Sequence, residues 1–141
     1  MCNCNNDSCG CIGEILKVIL ILQKNAEPGD RCLDTCDKKV LGTCCPCPCC
    51  NTRPIMLYPC CCPCGTAPIQ MPISKDPDET VTSRVFRVEK LDGCCATFRV
   101  LVPTGNGKVC VNYEATNSFF TVNLNCIGTI KCLDDTYVEC L

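Results

Sequence analysis

The sequence predicts a mainly β protein, an antiparallel meander or small β-sandwich with one N-terminal helix. Three observations carry this. Short runs in the second half alternate apolar and polar residues and are rich in β-branched and aromatic side chains. Tight-turn signals separate them, Asp92-Gly93 and the PTGNG of 103–107. Ahead of them one segment, IGEILKVILILQKNAE, carries helical spacing.

In chain order, residues 1–11 (MCNCNNDSCGC) form a polar, flexible arm bearing Cys2, Cys4, Cys9 and Cys11. Residues 12–27 form the helix, with Glu14, Lys17, Lys24 and Asn25 on a narrow polar arc and the remaining circumference apolar. So wide an apolar surface calls for burial on more than one side. It suits an ordinary core helix or one shared between subunits, with Ile15, Leu16, Val18, Ile19 and Leu22 as the assembly face. Pro28-Gly29 ends it.

Residues 28–65 are irregular and rich in cysteine and proline, with Cys32 and Cys36 one helical turn apart and a short strand in RPIMLY. Residues 66–141 make the antiparallel β core. APIQMPI holds two prolines and reads as an edge strand or extended linker. SKDPDET is a solvated loop, and so is Asp134-Asp135. RVFRVEKL and CCATFRVLV form a hairpin about Asp92-Gly93, and KVCVNYEA comes after PTGNG. Thr116-Asn117-Ser118 turns the chain into FFTVNL, and CIGTIKCL and TYVECL complete the strands.

Cysteine dominates the composition. The chain has 141 residues and 21 cysteines, nine of them between Cys44 and Cys64 in two cysteine-proline knots, TCCPCPCC and CCCPCG. That density marks a disulfide scaffold. Neighbouring cysteines rarely bond each other, since the ring needs a distorted peptide, so these point outward to separate partners. No secretory signal is visible, and the apolar run at 12–22 is too short to span a bilayer. The thiols are therefore expected to stay reduced during cytosolic synthesis and to oxidise after the surroundings change. An odd cysteine count leaves at least one thiol without an intrachain partner.

Other chemistry finds little support. The net charge of −2 argues against nucleic acid. With no histidine there is no Cys-His dyad, Ser-His-Asp triad or imidazole ligand. Neither an enzyme nor a cofactor is expected. Cys47, Cys50, Cys61 and Cys64 have the outline of a four-thiolate zinc site, and a zinc-binding module is the alternative function. Cysteine this dense produces such spacings by chance.

Intermolecular disulfides are expected for Cys2, Cys4, Cys9, Cys11, Cys44, Cys45, Cys47, Cys49, Cys50, Cys60, Cys61, Cys62 and Cys64. Cys94, Cys95, Cys110, Cys126 and Cys132 lie in apolar strands and are expected in the core or in intradomain disulfides. Successive strand residues face opposite ways, so of Cys94 and Cys95 one would be inside and one outside.

Asn51-Thr52-Arg53-Pro54 with IMLY behind it, SRVFRVEKLDGCCATFRVL, FFTVNLNCIGTIKCLDDTYV and the CNCN start ahead of an apolar helix together resemble one family. It is the Bacillus spore outer-coat, crust and exosporium proteins of the spore coat protein Y/Z and exosporium protein Y family. The dense cysteine of residues 40–65 departs from its pattern, and the His-rich arm of some members is absent. The resemblance implies a structural protein made in the mother cell and placed on the spore surface. There it would join copies of itself, as hexamers extended to a disulfide-hardened two-dimensional lattice, and other coat or exosporium proteins.

Overall fold

A computed structural model describes residues 10–26, 50–60, 67–104, 113–138 and 141. It is mainly β, with one N-terminal helix, a five-stranded antiparallel sheet and a two-stranded ribbon. Helix α1 spans Gly10–Lys24, and the strands are β1 (Ile55–Pro59), β2 (Met71–Pro72), β3 (Thr82–Ser83), β4 (Val85–Asp92), β5 (Cys95–Pro103), β6 (Tyr113–Asn123) and β7 (Ile127–Cys132). The main sheet runs β6-β5-β4-β1-β7, and β2 pairs with β3 in the ribbon. Strands β4 to β6 are the expected meander, and β1, from the cysteine-rich half, lies between β4 and β7.

The sheet is coiled. Asn123 lies opposite Cys95 at the end of the β4–β5 hairpin, and Ile127 lies opposite Pro59. Only the single 3₁₀ turn Leu124–Cys126 joins them. Four peptide steps reach about 14 Å at most, whereas four strand spacings in a flat sheet cover about 19 Å. The two outer strands therefore curl toward each other, and the turn is a corner between them.

The concave face holds the core: Ile55, Leu57, Phe86, Val88, Ala96, Phe98, Val100, Leu124 and Ile127, with Ile12, Leu16 and Ile19 of α1 laid across it. Phe120 packs edge-on to Phe86 at 4.7 Å and stacked on Phe98 at 5.4 Å. Ile15, Val18, Ile19 and Ile21 are weak helix formers, so packing on the sheet, more than propensity, holds α1 helical. Each fully buried side chain such as Leu16 contributes about 1.5–3 kcal/mol. A smaller cluster, Val85, Leu101 and Val138, sits apart from this core.

Several expectations need correction. The helix begins at Gly10, inside the expected arm, and ends at Lys24, short of Pro28. Asn25 N–H still donates to Ile21 O at 3.0 Å. The hairpin loop is Gly93-Cys94, one residue later than expected, because Asp92 already pairs with Cys95. Gly93 has φ +58°, the left-handed region that glycine enters freely. Thr116-Asn117-Ser118 is no turn: it lies within β6, opposite Val100 alone, as a bulge. There Thr116 Oγ1 donates to Val100 O, and Ser118 N–H donates to Thr116 Oγ1. Polar side chains that often make turns here satisfy an interrupted ladder. TYVECL contributes a single bridge, Thr52 to Thr136, and no strand among the described residues.

Candidate assembly surface and the cysteine positions

The conspicuous Asn51–Pro54 run turns out to be a clamp. Asn51 Nδ2 donates to Val138 O at 2.9 Å, and its Oδ1 accepts from Val138 N–H at 2.9 Å. Thr52, buried, accepts from Arg87 Nε at 3.0 Å. Arg53 grips Asp135 at two points, Nε to Oδ1 at 2.7 Å and Nη2 to Oδ2 at 2.9 Å. That pair holds the Asp135 carboxyl below its ordinary value, chiefly by the Arg53 hydrogen bond, with burial opposing. Asp135 is thus no free loop carboxylate. The buried Gln23 of α1 donates to Val88 O at 2.9 Å and accepts from Arg53 N–H at 3.1 Å. One short segment ties tail, helix and sheet together.

Beside it, Glu89 Oε1 accepts from Arg87 Nη1 at 2.7 Å and Arg99 Nε at 3.1 Å. Glu89 is the extra residue of a bulge between Val88 and Lys90. Arg99 lies over the Phe119 ring, 4.5 Å from its centroid. Nothing in the alternating pattern distinguished Gln23, Glu89 or Asp135 from surface residues. Only their spacing relative to bulges and to a non-local partner would have shown these roles.

The seven described cysteines fall mainly at two places. Around the β6–β7 corner, Cys94 O accepts from Leu124 N–H and Cys126 O from Cys60 N–H, both at 2.8 Å, while Cys95 lies opposite Asn123. Near the clamp, Cys50 adjoins Asn51, and Cys132 lies opposite Ile55. Cys11 stands apart on the first turn of α1. Cys50 and Cys60 thus lie beyond opposite ends of β1.

The core reading fails for Cys95, Cys126 and Cys132, which are exposed free thiols, as is Cys11. Cys95 and Cys132 sit at strand ends, and Cys126 sits in the corner turn, where the sheet no longer covers side chains. Cys94 lies in the hairpin loop and is disulfide-bonded; with Cys95 it does not form the alternating strand pair expected. Cys50 and Cys60 are partly exposed. Cys2, Cys4, Cys9, Cys44, Cys45, Cys47, Cys49, Cys61, Cys62, Cys64 and Cys110 lie outside the described residues, so the four-thiolate set has only Cys50 within them.

Of the expected assembly face, Leu16 and Ile19 belong to the chain's own core. Ile15, Val18 and Leu22 do face outward, joined by Ile21. A helix wraps its residues round at 100° each, so a single sheet covers only part of so apolar a circumference.

A cleft of about 520 Å³ is lined by Met56, Arg84, Val85, Tyr113 and Leu133 among others. Burial, and then the charge of Asp134, push the Tyr113 phenol up, so it is neutral at pH 7. Among the described lining residues there is no carboxylate, thiol or ammonium group to act on a substrate. Among the described residues no helix is long and apolar enough to cross a membrane, and no three side chains cluster as metal ligands.

No curated protein and no solved structure matches the chain. The family model described as spore coat protein Z matches residues 1–115. A packed core braced by the Asn51–Pro54 clamp, with exposed thiols, agrees with the structural role in the spore coat to which that family points. The chain belongs to the spore coat protein Z family.

Proposed function

We propose that this protein is a self-assembling subunit of the spore surface, welded to its neighbours by disulfides into a two-dimensional lattice. The observation that carries the reading is the outward position of Cys11, Cys95, Cys126 and Cys132 as free thiols on a well-packed body. A small hydrophobe such as cysteine is normally buried. Thiols held at the surface are placed where a second chain can reach them.

The scheme has two stages. Non-covalent docking fixes the geometry first, since a disulfide needs its Cα atoms within about 7 Å. Oxidation then links only subunits that have docked correctly. The described outward thiols lie at separate places, Cys11 on α1, Cys95 and Cys126 about the corner and Cys132 near the clamp, so links can run in more than one direction, as a sheet requires. A closed unit, hexameric in this reading, is joined onward through the remaining contacts. Each bond within a chain typically adds about 2–4 kcal/mol, so several across interfaces resist heat and denaturant.

The test is boiling assembled, oxidised protein in detergent with and without a thiol reductant. Monomer released only with reductant is the expected result. Full release by detergent alone contradicts covalent linkage. About one tightly held zinc per chain in anaerobically reduced protein would favour a metal-binding module instead.

A further inference from the structure

The cleft of about 520 Å³ lies where the end of the β5–β6 pair, the start of β4 and the segment after β7 come together. Pro103 stands opposite Tyr113 on one side of it, with Arg84 and Leu133 also on its wall. Its size falls within the roughly 300–1,000 Å³ of small-molecule sites. Met56, Val85, Pro103 and Leu133 give it apolar surface.

The polar lining is unevenly spent. Ser83 Oγ donates to Leu101 O and accepts from Val85 N–H at 3.2 Å. Gln70 Oε1 accepts from Thr82 Oγ1 at 2.9 Å, which leaves the Gln70 Nε2 donors over. The Tyr113 hydroxyl and the Arg84 guanidinium have no hydrogen-bond or ion-pair partner among the described residues. Arg53, Arg87 and Arg99 each hold a carboxylate, so Arg84 differs from the other described arginines. What is left over on this wall is a cation and several donors, with no carboxylate among the described lining residues.

We propose that the cleft binds a small organic monocarboxylate, its carboxylate accepting from Arg84 and its hydrocarbon body lying against Met56, Val85 and Leu133. The inference is independent of the self-assembly reading. A guanidinium offers two parallel N–H groups that match the two oxygens of a carboxylate. The neutral Tyr113 hydroxyl and Gln70 Nε2 supply further donors at the same wall. A single negative charge is selected, because one guanidinium balances one, and Asp134, whose charge reaches Tyr113, repels a second. An alcohol with the same body lacks the ion pair, and an amine is repelled by Arg84.

The experiment titrates hexanoate into heavy-nitrogen-labelled full-length chain, kept reduced, and follows the amide signals by NMR, with 1-hexanol and hexylammonium as controls. Saturable shifts at residues of the cleft are expected, with a dissociation constant on the order of a millimolar, as suits so small a ligand. Both controls should bind about tenfold more weakly or worse. Arg84→Gln should weaken hexanoate by about tenfold or more. It should leave the urea midpoint in place, since Arg84 is exposed and braces nothing among the described residues. Tyr113→Phe should weaken binding severalfold. No saturable shift at the cleft overturns the proposal, and so does hexanol binding as tightly as hexanoate or an unchanged affinity in Arg84→Gln. None of these outcomes bears on lattice formation, which is read separately.

Discussion

Arg53 and Asp135, 82 positions apart, meet in a two-point ion pair of 2.7 and 2.9 Å that pins the C-terminal segment to the start of β1. Their side chains are 35% and 45% exposed, so solvent screens the pair and it is worth about 0.5–1 kcal/mol. Its pH dependence has a definite sign. The folded carboxyl of Asp135 is depressed, so the contribution is complete above the ordinary aspartate value of about 3.9. It is lost as pH falls through the folded value. Urea unfolding of wild type and Asp135→Asn should differ at pH 7 and converge at low pH. A difference that grows on acidification would contradict the pairing.

Glu89 should matter more than Asp135. It holds Arg87 and Arg99, whose side chains are only 11% and 16% exposed. Glu89→Ala leaves both guanidinium groups without their carboxylate, a loss of about 2–4 kcal/mol. Denaturant unfolding checks this, and a cost no larger than that of Asp135→Ala would count against the network.

Gln23 joins helix to sheet through two backbone partners while buried. Gln23→Leu keeps the bulk but strips both bonds, and should cost about 1–3 kcal/mol. The same unfolding measurement reports it, and a neutral result would mean that those backbone groups find other partners.

The two sides of α1 should respond in opposite ways. Leu16 is fully buried, so Leu16→Ala should cost about 2–5 kcal/mol. Val18→Ser on the outward side should stay within about 0.5 kcal/mol for the monomer. Equal effects from the two would contradict the orientation of the helix.

Surface thiols should react first. In a brief alkylation of the folded, reduced chain, Cys11, Cys95, Cys126 and Cys132 should be modified within the first seconds to minutes, before unfolding agents are added. Protection of Cys126 or Cys132 would restore the core reading.

Elements set by local period were legible in the sequence. Alternation in RVFRVEKL and CATFRVLV identified β4 and β5, and the apolar spacing of 12–22 identified α1. Features that depend on distant partners escaped. Thr116 and Ser118 read as a turn by composition, yet β5 beside them made the segment a bulge. Cys95, Cys126 and Cys132 sat among apolar neighbours in sequence, yet each falls at a strand end or corner where cover stops. The resemblance singled out Asn51–Pro54, but the work of those residues appeared only with Val138, Asp135 and Gln23 beside them.

Electron microscopy of the recombinant full-length chain, oxidised in a glutathione buffer, addresses the central claim most directly. Ordered sheets that fall apart when reductant is added are predicted. A dispersed monomer under the same oxidising conditions, every sulfur satisfied within its own chain or by a bound ion, would contradict it.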